Sequence, residues 1–128
     1  MNCYGILALK DRKDMIGLKY AWQGLIKVTL EERNFQIHLL IGSTVVIAGF
    51  ICQLNYIEWS IILLTICLVL VMEMINTIFE RFIDYFKPEK HEKAKHIKDI
   101  AAGCVLVTSI FAIVIGLAIF IPKLIQYL

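Results

Sequence analysis

Excess charge of either sign is missing from this chain of 128 residues, in which 13 Lys and Arg oppose 11 Asp and Glu for a formal net charge of +2. That balance is too small for the electrostatic footprint of a nucleic-acid binder, so no nucleic-acid partner is expected. Cysteine is sparse as well. Cys3, Cys52, Cys67 and Cys104 have neither metal-ligand spacing nor the density of a disulfide scaffold, and read as apolar fillers or free thiols. The first 34 residues are studded with charge and lack an apolar core ending in a small-residue cleavage site, so no cleaved signal peptide is expected. No internal repeat or low-complexity segment stands out. What the chain does have is apolar mass, at 59% of residues, well above the ordinary soluble mix.

A helix that crosses a bilayer needs about 20 mostly apolar residues. Three windows qualify. Residues 35–54 carry no full charge, residues 59–72 form an uncharged, mostly apolar run that reaches spanning length by continuing to 79, and residues 100–121 have no charge at all. The expected architecture is an all-α integral membrane protein, one membrane domain over 1–128, with spans at 35–54, 59–79 and 100–121.

Lys and Arg remain on the cytoplasmic side of short loops. Lys10, Arg12, Lys13, Lys19, Lys27 and Arg33 precede the first span, and Arg81, Lys87, Lys90, Lys93, Lys95 and Lys98 lie between the second and third. Only Lys123 lies elsewhere, so a cytoplasmic N-terminus follows. Residues 13–30 place Ile16, Tyr20, Gln23 and Lys27 on one stripe and Leu18, Ala21, Trp22, Leu25, Ile26 and Thr29 on another, which predicts an amphipathic surface helix. It serves either as an interfacial anchor or as a cover over a lipid. The segment 87–98 opens with Pro88 and is rich in Lys and Glu, and reads as a solvated loop.

The informative residues are the polar ones that intrude on the second span. Ionisable groups at membrane depth cost roughly 2.5 to 3.5 kcal/mol on insertion scales and face a protein interior or a polar cavity. Glu73, Asn76, Glu80 and Asp84 follow one another at i, i+3, i+7 and i+11. On a helix turning about 100° per residue they share an arc of about 80°, with Thr77 beside them. Three carboxylates on one face repel one another, so a cation is expected there. Mg²⁺ suits an oxygen-rich, thiol-free cluster and bridges carboxylates to nucleotide phosphates. The plainer alternative is a solvated helix end, with Asp84 paired to Arg81 or Lys87. Glu31 and Glu32, before the first span, and Lys98 and Asp99, before the third, are expected at the same depth. Acids for a metal, a Lys for phosphate and a membrane location suggest phosphoryl transfer to a lipid-like acceptor. A non-catalytic small membrane subunit stays open on these grounds alone.

The segment Glu73-Met-Ile-Asn76-Thr77-Ile-Phe-Glu80-Arg-Phe-Ile-Asp84 resembles the signature E-x-x-N-[ST]-A-I-E-x-x-x-D of the small prokaryotic diacylglycerol kinases, departing from it at Ile78 and Phe79. Lys98-Asp99-Ile-Ala-Ala-Gly103-Cys-Val-Leu is similar to the family's K-D-x-A-A-G-A-V-L, with Cys104 in place of Ala. Tyr20-Ala-Trp22-Gln-Gly24-Leu25 resembles Y-x-W-x-G-L, and Glu32-Arg-Asn-Phe35 takes the place of E-x-x-F. These pieces occur in the family's order from about residue 13 to 116, and no Walker-type or kinase-type glycine-rich loop points to another phosphotransferase.

The resemblance implies a homotrimeric bundle of three-span subunits, each with a surface helix, in the bacterial inner (plasma) membrane. The implied activity is ATP-dependent phosphorylation of a lipid hydroxyl. By motif, Glu73 becomes the catalytic base with Asn76 beside it, and Glu32 and Glu80 become ligands of Mg²⁺ held with ATP. Tyr20, Lys98 and Asp99 fall on the nucleotide side, Glu89 and His91 match loop positions that touch ATP, and Trp22 falls with Glu73 on the lipid side. Lys13 stands where relatives can carry Arg, a change that alters bidentate phosphate binding. Glu32-Arg-Asn and the Ala-Ala-Gly after Asp99 resemble the Gram-positive branch, which implies undecaprenol as the lipid, with diacylglycerol as the alternative.

Overall fold

A computed structural model describes residues 3–86, 89 and 91–126, with side chains from residue 17 onward. Among them the regular structure is helical throughout, as α1 (Cys3–Glu31), α2 (Arg33–Ile51), α3 (Tyr56–Phe86) and α4 (Glu92–Gln126). The chain divides into two compact units, Met1–Arg33 and Asn34–Leu128.

The first unit is α1. It begins ten residues before the expected start at 13, since Leu7, Ala8, Leu9 and Lys10 are strong helix formers with no Pro to stop them. Residues 17–27 are exposed, Tyr20 and Trp22 at 65% each, and Val28 is buried. The Glu32 N–H closes the last turn on the Val28 carbonyl at 3.0 Å.

In the second unit, α2, α3 and α4 are each long and apolar enough to cross a membrane, as expected. At 1.5 Å per residue α2 measures about 28 Å, near the hydrocarbon thickness, whereas α3 and α4 reach about 46 and 52 Å. Both are longer than that layer is thick. Five of the hydroxyls within these helices are satisfied locally. Ser43, Thr44, Ser60, Thr65 and Thr108 each donate to the carbonyl four residues earlier at 2.7–3.0 Å, which makes them tolerable in an apolar medium.

The turn between α2 and α3 comes three residues before the expected end at 54. Gln53 adopts a left-handed φ of 50°, the Leu54 N–H bonds to the Gly49 carbonyl at 3.2 Å, and the Gln53 N–H bonds to Phe50 at 3.3 Å. This paired closure satisfies the last carbonyls and stops α2. Asn55 then caps α3, its Oδ1 accepting from Ile57 and Glu58 N–H at 3.0 Å each, while Glu58 Oε2 accepts from the Asn55 N–H at 2.8 Å. Glu58 also pairs with Lys123 near the end of α4 at 3.0 Å. Around this corner Cys52, Leu54 and Ile62 form a buried cluster flanked by Trp59, Ile119 and Phe120.

Gly49 is where the corner admits no side chain. A Cβ there would lie 2.8 Å from the Trp59 ring and 3.1 Å from Leu54. Trp59 is also held by the Phe50 ring, with centroids 4.8 Å apart. Gly49→Ala is expected to cost about 1–3 kcal/mol through overpacking, read as a lower thermal midpoint in detergent. Gly116→Ala, where a Cβ meets nothing within 4 Å, serves as the control and should not lower it.

The expected loop at 87–98 is corrected over its second half. Residues 92–98 are the first two turns of α4. His91 starts them, its Nδ1 accepting from the Lys93 N–H at 3.2 Å and its carbonyl from the Lys95 N–H at 3.0 Å. Glu92 in the first turn favours the helix dipole, and Lys, Ala and Glu carry high helix propensity. Charge density signalled solvent exposure correctly, but solvation is compatible with a helix. Lys87, Pro88 and Lys90 lie outside the described residues.

Candidate active site

The polar face expected on the second span is present on α3 and is graded along the helix. Glu73, Asn76 and Thr77 are 3%, 4% and 6% exposed, Glu80 is half-buried, and Asp84 is exposed. The gradient runs toward the C-terminal end of α3. Counted from Glu58 at one end of α3, Glu73 lies about 22 Å along the helix and Glu80 about 33 Å. A hydrocarbon layer of about 30 Å that began at Glu58 would end between Glu73 and Glu80.

Two contacts offset the repulsion between the acids. Asn76 Nδ2 donates to Glu80 Oε1 at 3.0 Å, one helical turn away. Lys98, in the second turn of α4, donates to and pairs with Asp84 Oδ1. The plainer alternative paired Asp84 with Arg81 or Lys87, of which Lys87 lies outside the described residues. The antiparallel run of α4 along α3 brings Lys98 there from 14 residues away. Asn76 Oδ1, by contrast, is buried with no hydrogen-bond partner among the described residues. An acceptor left in that state costs about 1–3 kcal/mol.

The remaining expected residues lie as follows. Asp99 follows Lys98 on α4 and is exposed, and Glu89 and His91 are exposed in the connection between α3 and α4. Tyr20, Trp22 and Glu32 belong to the first unit, Glu32 half-buried at the break after α1. No group of three or more His, Cys, Asp or Glu able to hold a metal occurs among the described residues. Mg²⁺ bound with a nucleotide takes only one or two carboxylates and keeps waters and phosphates for the rest, so the acids present fit that use. Cys52, Cys67 and Cys104 are free thiols.

Beside the acid face runs an apolar groove of about 130 Å³ between α3 and α4, lined by Met72, Ile75, Phe79, Ile100, Ala101 and Cys104. It offers hydrocarbon surface along the stretch of α3 that holds Glu73 and Asn76. Phe79 and Cys104, two of the departures from the family signature, meet on it. Periodicity on α3 alone did not reveal that meeting.

A buried carboxylate, an amide with an orphaned acceptor and a cation at the membrane edge suit proton removal from a hydroxyl beside a phosphate. Residues 19–120 match the family described as prokaryotic diacylglycerol kinase. The chain belongs to that family. Undecaprenol kinase of Bacillus subtilis is 41% identical over 105 residues, covering 82% of this chain and 85% of that protein. Diacylglycerol kinase of Synechocystis sp. is 35% identical over 113 residues, 88% of this chain and 65% of that protein. Diacylglycerol kinase of Escherichia coli is 28% identical over 96 residues, 74% and 78% of the two chains. The matched span of this family member contains the end of α1, all of α2 and α3 and most of α4, with Tyr20, Glu32, Glu73, Asn76, Glu80, Lys98 and Asp99 inside it.

Proposed function

We propose that the protein is a lipid kinase that transfers the γ-phosphoryl group of ATP to the hydroxyl of undecaprenol, forming undecaprenyl phosphate. The observation that carries this reading is the pairing on α3 of a buried carboxylate, Glu73, with the orphaned acceptor of Asn76 three residues on. The lipid hydroxyl donates to Asn76 Oδ1 or to Glu73, and Glu73 takes its proton as the oxygen attacks. The bond from that oxygen to the γ-phosphorus forms as the bridge to the β-phosphate breaks, and ADP leaves.

Glu32 and Glu80 would hold Mg²⁺ with ATP, and the ion would neutralise charge on the phosphates. Asn76 keeps Glu80 oriented through its amide. Lys98 meets phosphate charge, Asp99, Tyr20, Glu89 and His91 lie on the nucleotide side, and Trp22 on the lipid side. The surface helix acts as an amphipathic clamp over the lipid. One-sided Lys and Arg placement supports a cytoplasmic N-terminus in the bacterial inner membrane.

Transfer of radiolabelled phosphate from ATP to undecaprenol, diacylglycerol and ceramide, compared on purified protein, tests the reading. Label passing preferentially to undecaprenol is expected. Preference for diacylglycerol would make the protein a diacylglycerol kinase, the activity named for two of its relatives. No transfer to any of them would return the non-catalytic subunit.

The assembly we propose is a homotrimer with sites shared between subunits. Ala101, Ala102 and Gly103 allow close approach of another helix. Mixing an inactive Glu73 variant with an inactive Glu32 variant is then expected to restore part of the activity in heteromers. Verified co-assembly with every mixture inactive would mean that each subunit carries a complete site.

A further inference from the structure

We propose that Asp84 is a positioning residue for nucleotide binding, holding the Lys98 ammonium at the membrane-edge end of the acid face. The inference rests on the reading of Lys98 as a phosphate-binding group and extends it to a residue outside that machinery. Asp84 lies one turn beyond Glu80 on the same face of α3, and its carboxylate meets Lys98 Nζ across the α3–α4 connection.

Exposure separates this ion pair from the one at the opposite end of α3 and α4. Glu58 and Lys123 are 22% and 21% exposed and are tied into the α3 cap, as a structural clasp would be. Asp84 and Lys98 are 64% and 32% exposed, too open to contribute much to stability. Their contact constrains a side chain instead. An unheld lysine spreads its ammonium over many rotamers, of which few meet a phosphate, whereas a lysine tethered at one end of the site is already oriented.

Positioning and simple charge predict opposite signs. A carboxylate beside an incoming polyphosphate repels it, so on charge alone the loss of Asp84 tightens nucleotide binding. If Asp84 positions Lys98, its loss weakens binding despite the relief of repulsion.

The test is steady-state kinetics of the full chain with MgATP and lipid varied separately, with thermal midpoints measured in parallel. Asp84→Ala is expected to raise KM for MgATP about two- to five-fold, the range an exposed ion pair supports, with KM for lipid and the midpoint unchanged. Asp84→Glu should restore the value. Asp84→Ala combined with Lys98→Gln should be no weaker than Lys98→Gln alone, since both act through one ammonium. With Lys98→Gln impaired, an unchanged or lower KM for MgATP in Asp84→Ala overturns the proposal. So does a fall in kcat at constant KM with a lower midpoint. If Lys98→Gln itself keeps the original KM for MgATP, the phosphate-binding reading of Lys98 is what fails, and the role of Asp84 falls with it.

Discussion

Replacing Glu73 with Gln is expected to lower phosphoryl transfer by about 10²- to 10⁴-fold, the contribution typical of a positioned general base. The substitution keeps the volume of the side chain and its hydrogen-bonding capacity, so the buried face of α3 stays packed around residues that are 3% to 6% exposed. It removes the acceptor of the hydroxyl proton. The loss should fall on kcat with KM for MgATP little changed, because the base acts in the transition state rather than in nucleotide binding. Helix content by circular dichroism and the elution volume in detergent should match the parent. A variant that turns over at the parent rate would remove Glu73 from the mechanism.

At Glu80 two substitutions separate two roles. Asn76 Nδ2 donates to Glu80 Oε1, and Gln at position 80 can still accept that bond through its amide oxygen. Glu80→Gln is therefore expected to fold normally while raising the Mg²⁺ concentration for half-maximal rate by at least the roughly 10- to 100-fold that loss of a metal-site partner costs. Glu80→Ala removes the acceptor as well. It leaves a buried amide donor unpaired, which adds a stability loss of about 1–3 kcal/mol, visible as a lower thermal midpoint absent from Glu80→Gln. Glu32→Gln should shift the Mg²⁺ requirement in the same direction, and the double variant should be strongly non-additive if both carboxylates act on one ion. Unchanged Mg²⁺ dependence in both single variants would reassign the acids to a solvated rim.

The parts legible in the sequence were those set by local periodicity. Three apolar segments of spanning length are a property of composition. The common face of Glu73, Asn76, Glu80 and Asp84 follows from the turn of any helix. The family signature lies on that same face, so the candidate base and its amide neighbour could be named before any coordinates. One signal was present and not used. Asn55 and Glu58 stand three apart immediately before an apolar run, the mark of a helix start, and they cap α3.

Other features depended on packing. The charged segment 92–98 has both the polarity of a loop and the propensity of a helix, and the cap at His91 together with continuity into the apolar part of α4 decides for helix. Asp84 had nearer cations in sequence, yet it pairs with Lys98, and Glu58 pairs with Lys123, 65 positions away in the numbering of the chain. Phe79 and Cys104 come together on one groove from different helices. The sequence by itself determined which residues share a face of one helix, since 3.6 residues per turn is a local rule. Which charges and apolar groups meet between helices was decided by the antiparallel register of α4 against α3, which depends on turn geometry and packing along their whole length.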